Sequence, residues 1–98
     1  MPALSPAFGA EVFDGQNKTI ITTASSTTQV KTGAGKLAKV IVDVTFSTIV
    51  IYDDTGAGTS NQVHSRVATG EYELMLPIDN GIKVVVGTGS GRVIIVWT

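Results

Sequence analysis

The chain has no cysteine. Disulfides and thiolate metal sites are therefore excluded, and the redox compartment is left open. Charge is also scarce. Only 15% of residues are charged, against 43% apolar, whereas a free-standing soluble surface carries roughly 25–35% charged residues. The formal net charge of −1 lacks the basic field of a nucleic-acid-binding module. No run approaches the ~18–20 apolar residues that cross a bilayer as a helix. The opening Met1-Pro-Ala-Leu-Ser-Pro-Ala-Phe8 has neither a basic start nor a long apolar run, so a cleaved secretory signal is not expected. Amphipathic helical periodicity is missing too, and no repeat supports a propeller or solenoid.

What is present is strand chemistry. Ninety-eight residues suit one domain with its own core. Lys18 to Thr23 and Thr27 to Thr32 are rich in Thr, Ile and Val, with a break at Ala24-Ser-Ser26, and read as two short strands. After Gly33-Ala-Gly35, Leu37 to Phe46 alternates, with Ala38, Val40, Val42, Val44 and Phe46 on the core side and Leu37 and Ile41 out of phase. Thr48 to Asp53 makes a further strand, and Asp54-Thr-Gly-Ala-Gly58 a loop. Asn61 to Val67 places Val63, Ser65 and Val67 inward and Gln62, His64 and Arg66 outward. Glu71 to Ile78 sets Tyr72, Leu74, Leu76 and Ile78 against Glu71, Glu73, Met75 and Pro77, and Pro77 confines it to an edge or an end. About eight short strands with turn chemistry between them predict an all-β protein: an antiparallel, jelly-roll-like β-sandwich over residues 16–98. Residues 1–15 hold Pro2, Pro6, Gly9 and Gly15 around Leu4, Phe8, Val12 and Phe13. They read as an extended N-terminal arm that lays its apolar residues on its own fold or on a neighbour.

The final stretch, Gly81 to Thr98, reads as two valine- and isoleucine-rich strands in a hairpin around Gly87-Thr-Gly-Ser-Gly91. If Val84, Val86, Val93, Ile95 and Trp97 face the core, then Val85, Ile94 and Val96 face outward. Contiguous apolar surface of that kind marks a protein interface.

Sites of chemistry are not evident, and no enzyme is expected. Gly33-Ala-Gly-Lys36 and Gly87 to Gly91 lack the spacing and the following helix of a phosphate loop. Asp53 and Asp54 are adjacent on a strand, point to opposite faces and lack the ligand density of a calcium site. With Asp79 they read as turn-formers bonding their own backbone. His64, the single histidine, has no nucleophile and orienting group at a recognisable spacing. Lys31, Lys36 and Lys39 form a solvated rim rather than a nucleic-acid groove. No catalytic residue, cofactor or metal is expected, and neither nucleic acid nor membrane is an expected partner. Among the aromatic residues, Tyr52 is the best candidate for an exposed ring that stacks on a sugar, while Tyr72 and Trp97 read as core.

Gly70-Glu-Tyr-Glu-Leu-Met-Leu-Pro-Ile-Asp-Asn-Gly-Ile-Lys-Val-Val-Val-Gly-Thr-Gly89, preceded by Val50-Ile-Tyr-Asp-Asp-Thr55, resembles small virion proteins of tailed bacteriophages. In those proteins a Tyr-Asp strand end and a polar loop precede a Pro-x-x-Asn-Gly turn and a valine strand. The resemblance covers about residues 37–98 and rests on turn motifs. It implies a capsid decoration or cement protein on the outer surface of the virion, made in the host cytoplasm. It further implies a homo-oligomer, a trimer for preference, bound to the major capsid protein. The interface residues expected on this reading are Leu4, Phe8, Val12, Phe13, Val85, Ile94 and Val96. The alternative is a glycan- or receptor-binding module of a tail or fibre, using Tyr52.

Overall fold

The computed structural model describes residues 16–56 and 61–98, so Leu4, Phe8, Val12 and Phe13 lie outside the described residues. Among the described residues there are eight strands and no helix: β1 (Asn17–Ile21), β2 (Ser26–Thr32), β3 (Gly35–Val44), β4 (Ile49–Tyr52), β5 (Gln62–Ser65), β6 (Gly70–Ile78), β7 (Gly81–Val86) and β8 (Arg92–Trp97). They form two four-stranded sheets, β1-β8-β3-β6 (sheet A) and β2-β7-β4-β5 (sheet B). Every pairing is antiparallel. This strand order is a jelly roll, in which the chain changes sheet at nearly every connection. Among the described strands, only β4 and β5 are consecutive and pair as a hairpin.

The closing hairpin expected from Gly81 to Thr98 is therefore not formed. β7 lies inside sheet B and β8 inside sheet A. Five residues reach up to ~17 Å when extended, enough to cross the ~10 Å between packed sheets. Residues 87–91 use that length as an arch over Phe46, which is 2% exposed. Gly89 takes a left-handed φ of +111°. At Gly91 any Cβ would meet the Phe46 ring at 2.6–2.8 Å, so the arch closes down on the ring only because that residue has no side chain. Hydrogen bonds tie it to the β3–β4 connection. The Ser47 amide donates to the Thr88 carbonyl at 2.8 Å and the Gly87 amide to the Thr48 carbonyl at 2.9 Å.

The core lies between the sheets. Leu37, Val40, Val42, Ile49, Ile51, Ile78, Ile82, Val84, Val93 and Ile95 are all buried there. Three register shifts account for departures from simple alternation, because one extra residue turns the following side chains over. The shift between Leu37 and Lys39 brings Leu37, expected out of phase, fully into the core. The shift between Val42 and Val44 sets Val44 opposite Arg92, and Val44, expected inside, is 49% exposed. In β5 the shift at Val63 pairs His64 with the buried Ile51. His64 thus turns toward the core rather than outward, while Ser65 and Val67, expected inside, are exposed. Strand β6 is an edge strand, as Pro77 requires, and Met75 adopts φ 51° beside its bulge.

Two aromatic side chains close the long sides of the sandwich. Trp97 packs against the core, donates from Nε1 to Thr19 Oγ1 at 2.9 Å and carries the Lys31 ammonium 5.6 Å from its ring centre. That contact links β8 of sheet A to the edge strand of sheet B. On the other side Tyr72 of β6 meets His64 of β5, with ring centres 5.6 Å apart.

Candidate interaction surfaces

On the outer face of sheet A the strands bring three isoleucines into one row. Ile20 on β1 stands opposite Ile94 on β8, Ile94 opposite Ile41 on β3, and Ile41 opposite Glu71 on β6. Ile20 is 45% exposed, and Ile94 and Ile41 are partly exposed. Val44 extends the apolar surface beyond them. The neighbouring row runs Lys18, Val96, Lys39, Glu73. Lys39 lies between two carboxylates, 3.4 Å from Glu71 and 3.8 Å from Glu73. At the far end Arg92 pairs with Asp43 at 3.1 Å. These exposed ion pairs contribute little to stability, but they fix where charge sits around the isoleucines.

The expected outward set Val85, Ile94 and Val96 does not form one patch. Because β7 and β8 belong to different sheets, Val85 lies on the outer face of sheet B, between Thr27 and Val50, and Ile94 lies on the opposite side of the molecule. Val96 shares the outer face with Ile94 but is 1% exposed. It is flanked in register by Lys18 and Lys39, whose aliphatic stems can cover a small side chain while their ammonium groups stay wet. The residues that do accompany Ile94 are Ile20, Ile41 and Val44. Their grouping comes from pairing between distant segments.

Tyr52 lies on the outer face of sheet B in a row with Lys83 and Gln62. Its ring is partly buried, and the Lys83 ammonium stands 5.5 Å from the ring centre, so a cation already occupies one face. Lys83 is 2% exposed, and its Nζ donates to the Gly56 carbonyl at 3.1 Å. Beside it, Gln29 Nε2 donates to the carbonyls of Lys31, Asp54 and Ile82. This end of sheet B is a satisfied polar layer beneath the 53–56 segment.

Asp53 and Asp54 are structural, but not in the local way their sequence suggests. The Asp53 carboxylate accepts the backbone amides of Asp79 (3.0 Å), Asn80 (2.8 Å) and Gly81 (3.2 Å), fastening the β6–β7 turn to the end of β4. Burial acts to raise its pKa, but the three amide donors act against it, and the net result lies below the ordinary carboxylate value. Asp54 accepts the backbone amide and the side-chain amide of Asn61, both at 3.0 Å, and so closes the β4–β5 loop.

At the β5–β6 side, His64 Nε2 is buried without a hydrogen-bond partner. Arg66 stacks over the other partner of this contact, with its guanidinium carbon 5.0 Å from the Tyr72 ring centre. Desolvation, and secondarily the positive charge of Arg66, hold the His64 pKa below its usual value. The imidazole therefore serves as a neutral packing group. The Tyr72 hydroxyl donates to the Ala68 carbonyl at 2.7 Å, which fastens the 66–69 crossover. Among the described residues no cluster of three or more His, Asp or Glu could hold a metal ion.

No family model matches the chain, and no curated protein matches it. Among solved structures, it is similar to a Bacillus endospore appendage protein from a family of disulfide-linked pili. The TM-score is 0.58 at 16% identity, over 97% of this chain and 93% of that one. The likeness is one of fold. The pili of that family are disulfide-linked, whereas this chain has no cysteine. The resemblance to phage virion proteins rests on the turn residues 50–55 and 70–89 alone.

Proposed function

We propose that this protein is a non-enzymatic structural subunit that works by joining copies of itself and a larger regular assembly. In its specific form the assembly is a phage head, with this chain as a decoration or cement protein seated on the major capsid protein. The observation that carries the reading is the apolar row Ile20, Ile94 and Ile41 on an open sheet face, in a chain whose charge is low for a fully wetted surface. The fold likeness to a pilus protein supports it, because the same sandwich there belongs to a polymer. Without cysteine, contacts between copies of this chain cannot be the disulfides that link those pili. Weak contacts repeated over a symmetric lattice add through multivalency, so each needs only a modest area. The N-terminal residues Leu4, Phe8, Val12 and Phe13 supply the second contact, as an arm laid on a neighbour.

The test is co-sedimentation with undecorated particles. The full chain should bind saturably, and a variant lacking residues 1–13 should keep its circular dichroism spectrum but lose binding. A folded deletion variant that binds equally well contradicts the arm contact. Failure of the full chain to bind contradicts the capsid reading.

A further inference from the structure

Sheet A carries its charges unevenly. On its β6 edge Glu71 and Glu73, with side chains 61% and 77% exposed, share one ammonium, that of Lys39. One carboxylate charge is left over. On the β1 edge Lys18 makes no ion pair among the described residues. Between the two edges run Ile20, Ile94 and Ile41 in one row and Val96 in the next.

We propose that the outer face of sheet A pairs with the same face of a second copy of this chain, about a twofold axis parallel to the strands. The proposal rests on the reading of this protein as an assembly subunit and specifies its self-contact. An axis in that direction lays β1 of one copy over β6 of the other, and β8 over β3, while keeping each row level with its own image. Lys18 then faces the second copy's Glu73, Ile94 faces the second copy's Ile41, and Ile20 at the rim meets the second copy's Glu71, whose charge Lys39 already pairs. Each contact occurs twice, as an isologous interface demands. The other in-plane axis, across the strands, lays β1 on β1 and sets Lys18 against the second copy's Ile20, leaving the surplus charges unanswered. Charge complementarity thus selects both the occupant and the orientation.

The face is small. Four strands at ~4.8 Å spacing and about five residues of length give roughly 300 Å² per copy, below the ~800 Å² per partner of a standard stable interface. Pairing in isolation is correspondingly weak, and it becomes firm only when other contacts hold the copies in an array.

Sedimentation equilibrium of the full chain over a wide concentration range tests this, with circular dichroism as the check on folding. Wild type should show a monomer–dimer equilibrium. Ile94→Ser, which removes an apolar contact from both halves of the interface, should weaken it roughly 100-fold. Lys18→Glu and Glu73→Lys should each weaken it at low salt, and the two together should restore it. Three results would overturn the proposal. These are an unaltered equilibrium in folded Ile94→Ser, no recovery in the double charge exchange, and a wild type that dimerises only after residues 1–13 are deleted, which would show the chain's own arm on this face. If the face variants associate like wild type while the protein still binds particles, the twofold contact falls and the assembly reading stands.

Discussion

Replacing Asp53 with alanine should loosen the end of the sandwich at which β4 meets the β6–β7 turn. The substitution leaves the amides of Asp79, Asn80 and Gly81 without their acceptor. Gly81 is buried, and an unsatisfied buried donor costs about 1–3 kcal/mol. Asp79 and Asn80 are exposed, so water replaces the carboxylate and each forfeits about 0.5 kcal/mol. The sum is about 2–4 kcal/mol, which in a domain of this size lowers Tm by about 10–30 °C. Fluorescence of the single tryptophan, Trp97, reports the unfolding, since its indole is bonded to Thr19 between the sheets. Acid separates the charge from the shape. The Asp53 pKa is lower in the folded protein than in the unfolded chain, so its contribution is fully present above about pH 4. It is lost as pH falls through the lowered folded value, because the unfolded state then binds the proton first. Asp53→Asn keeps an acceptor oxygen but cannot titrate, so the wild-type advantage over it should shrink below pH 4. Equal acid slopes for wild type and Asp53→Asn, or a Tm change of a degree or two in Asp53→Ala, would mean that the Asp53 carboxylate does not hold the β6–β7 turn.

Three further outcomes follow from the packing. The folded-state pKa of His64 is lowered, so wild type should lose stability as pH falls from about 6.5 toward that value. His64→Phe, which leaves Arg66 and Tyr72 in place, should abolish that slope in urea titrations read by circular dichroism, and an unchanged slope would place the titration elsewhere. Gly91→Ala drives a methyl into the Phe46 ring and should destabilise by about 1–3 kcal/mol in the same titration. Met75→Gly should be neutral or stabilising by up to about 1 kcal/mol, because it relieves a left-handed conformation at an exposed position; a loss above that would mean the Met75 side chain itself holds the bulge.

The strands were legible because their chemistry is local. β-Branched runs, Gly and Asn-Gly turns and the near-perfect alternation of β6 each announce themselves within a few residues. Pro77 marked an edge for the same reason. Sheet membership was not legible, because Gly87 to Gly91 has the composition of a hairpin turn and also the reach of an arch. What decides between them is Phe46, more than forty residues earlier, filling the space beneath. Faces are not legible where a bulge intervenes. The extra residues at Ala38, Asp43 and Val63 reversed the phase at Leu37, Val44 and His64, and nothing in the local pattern marks a bulge. The isoleucine row was hidden most completely. Its members stand at 20, 41 and 94, and only the pairing of β1, β8 and β3 makes them neighbours.

The central claim, that this sandwich works by association, is tested most directly by the mass of the purified full chain in solution, measured by light scattering across a concentration series. The mass should rise above that of the 10.2 kDa monomer as concentration increases and fall back in Ile94→Ser. A mass fixed at the monomer value up to the highest concentration would contradict it.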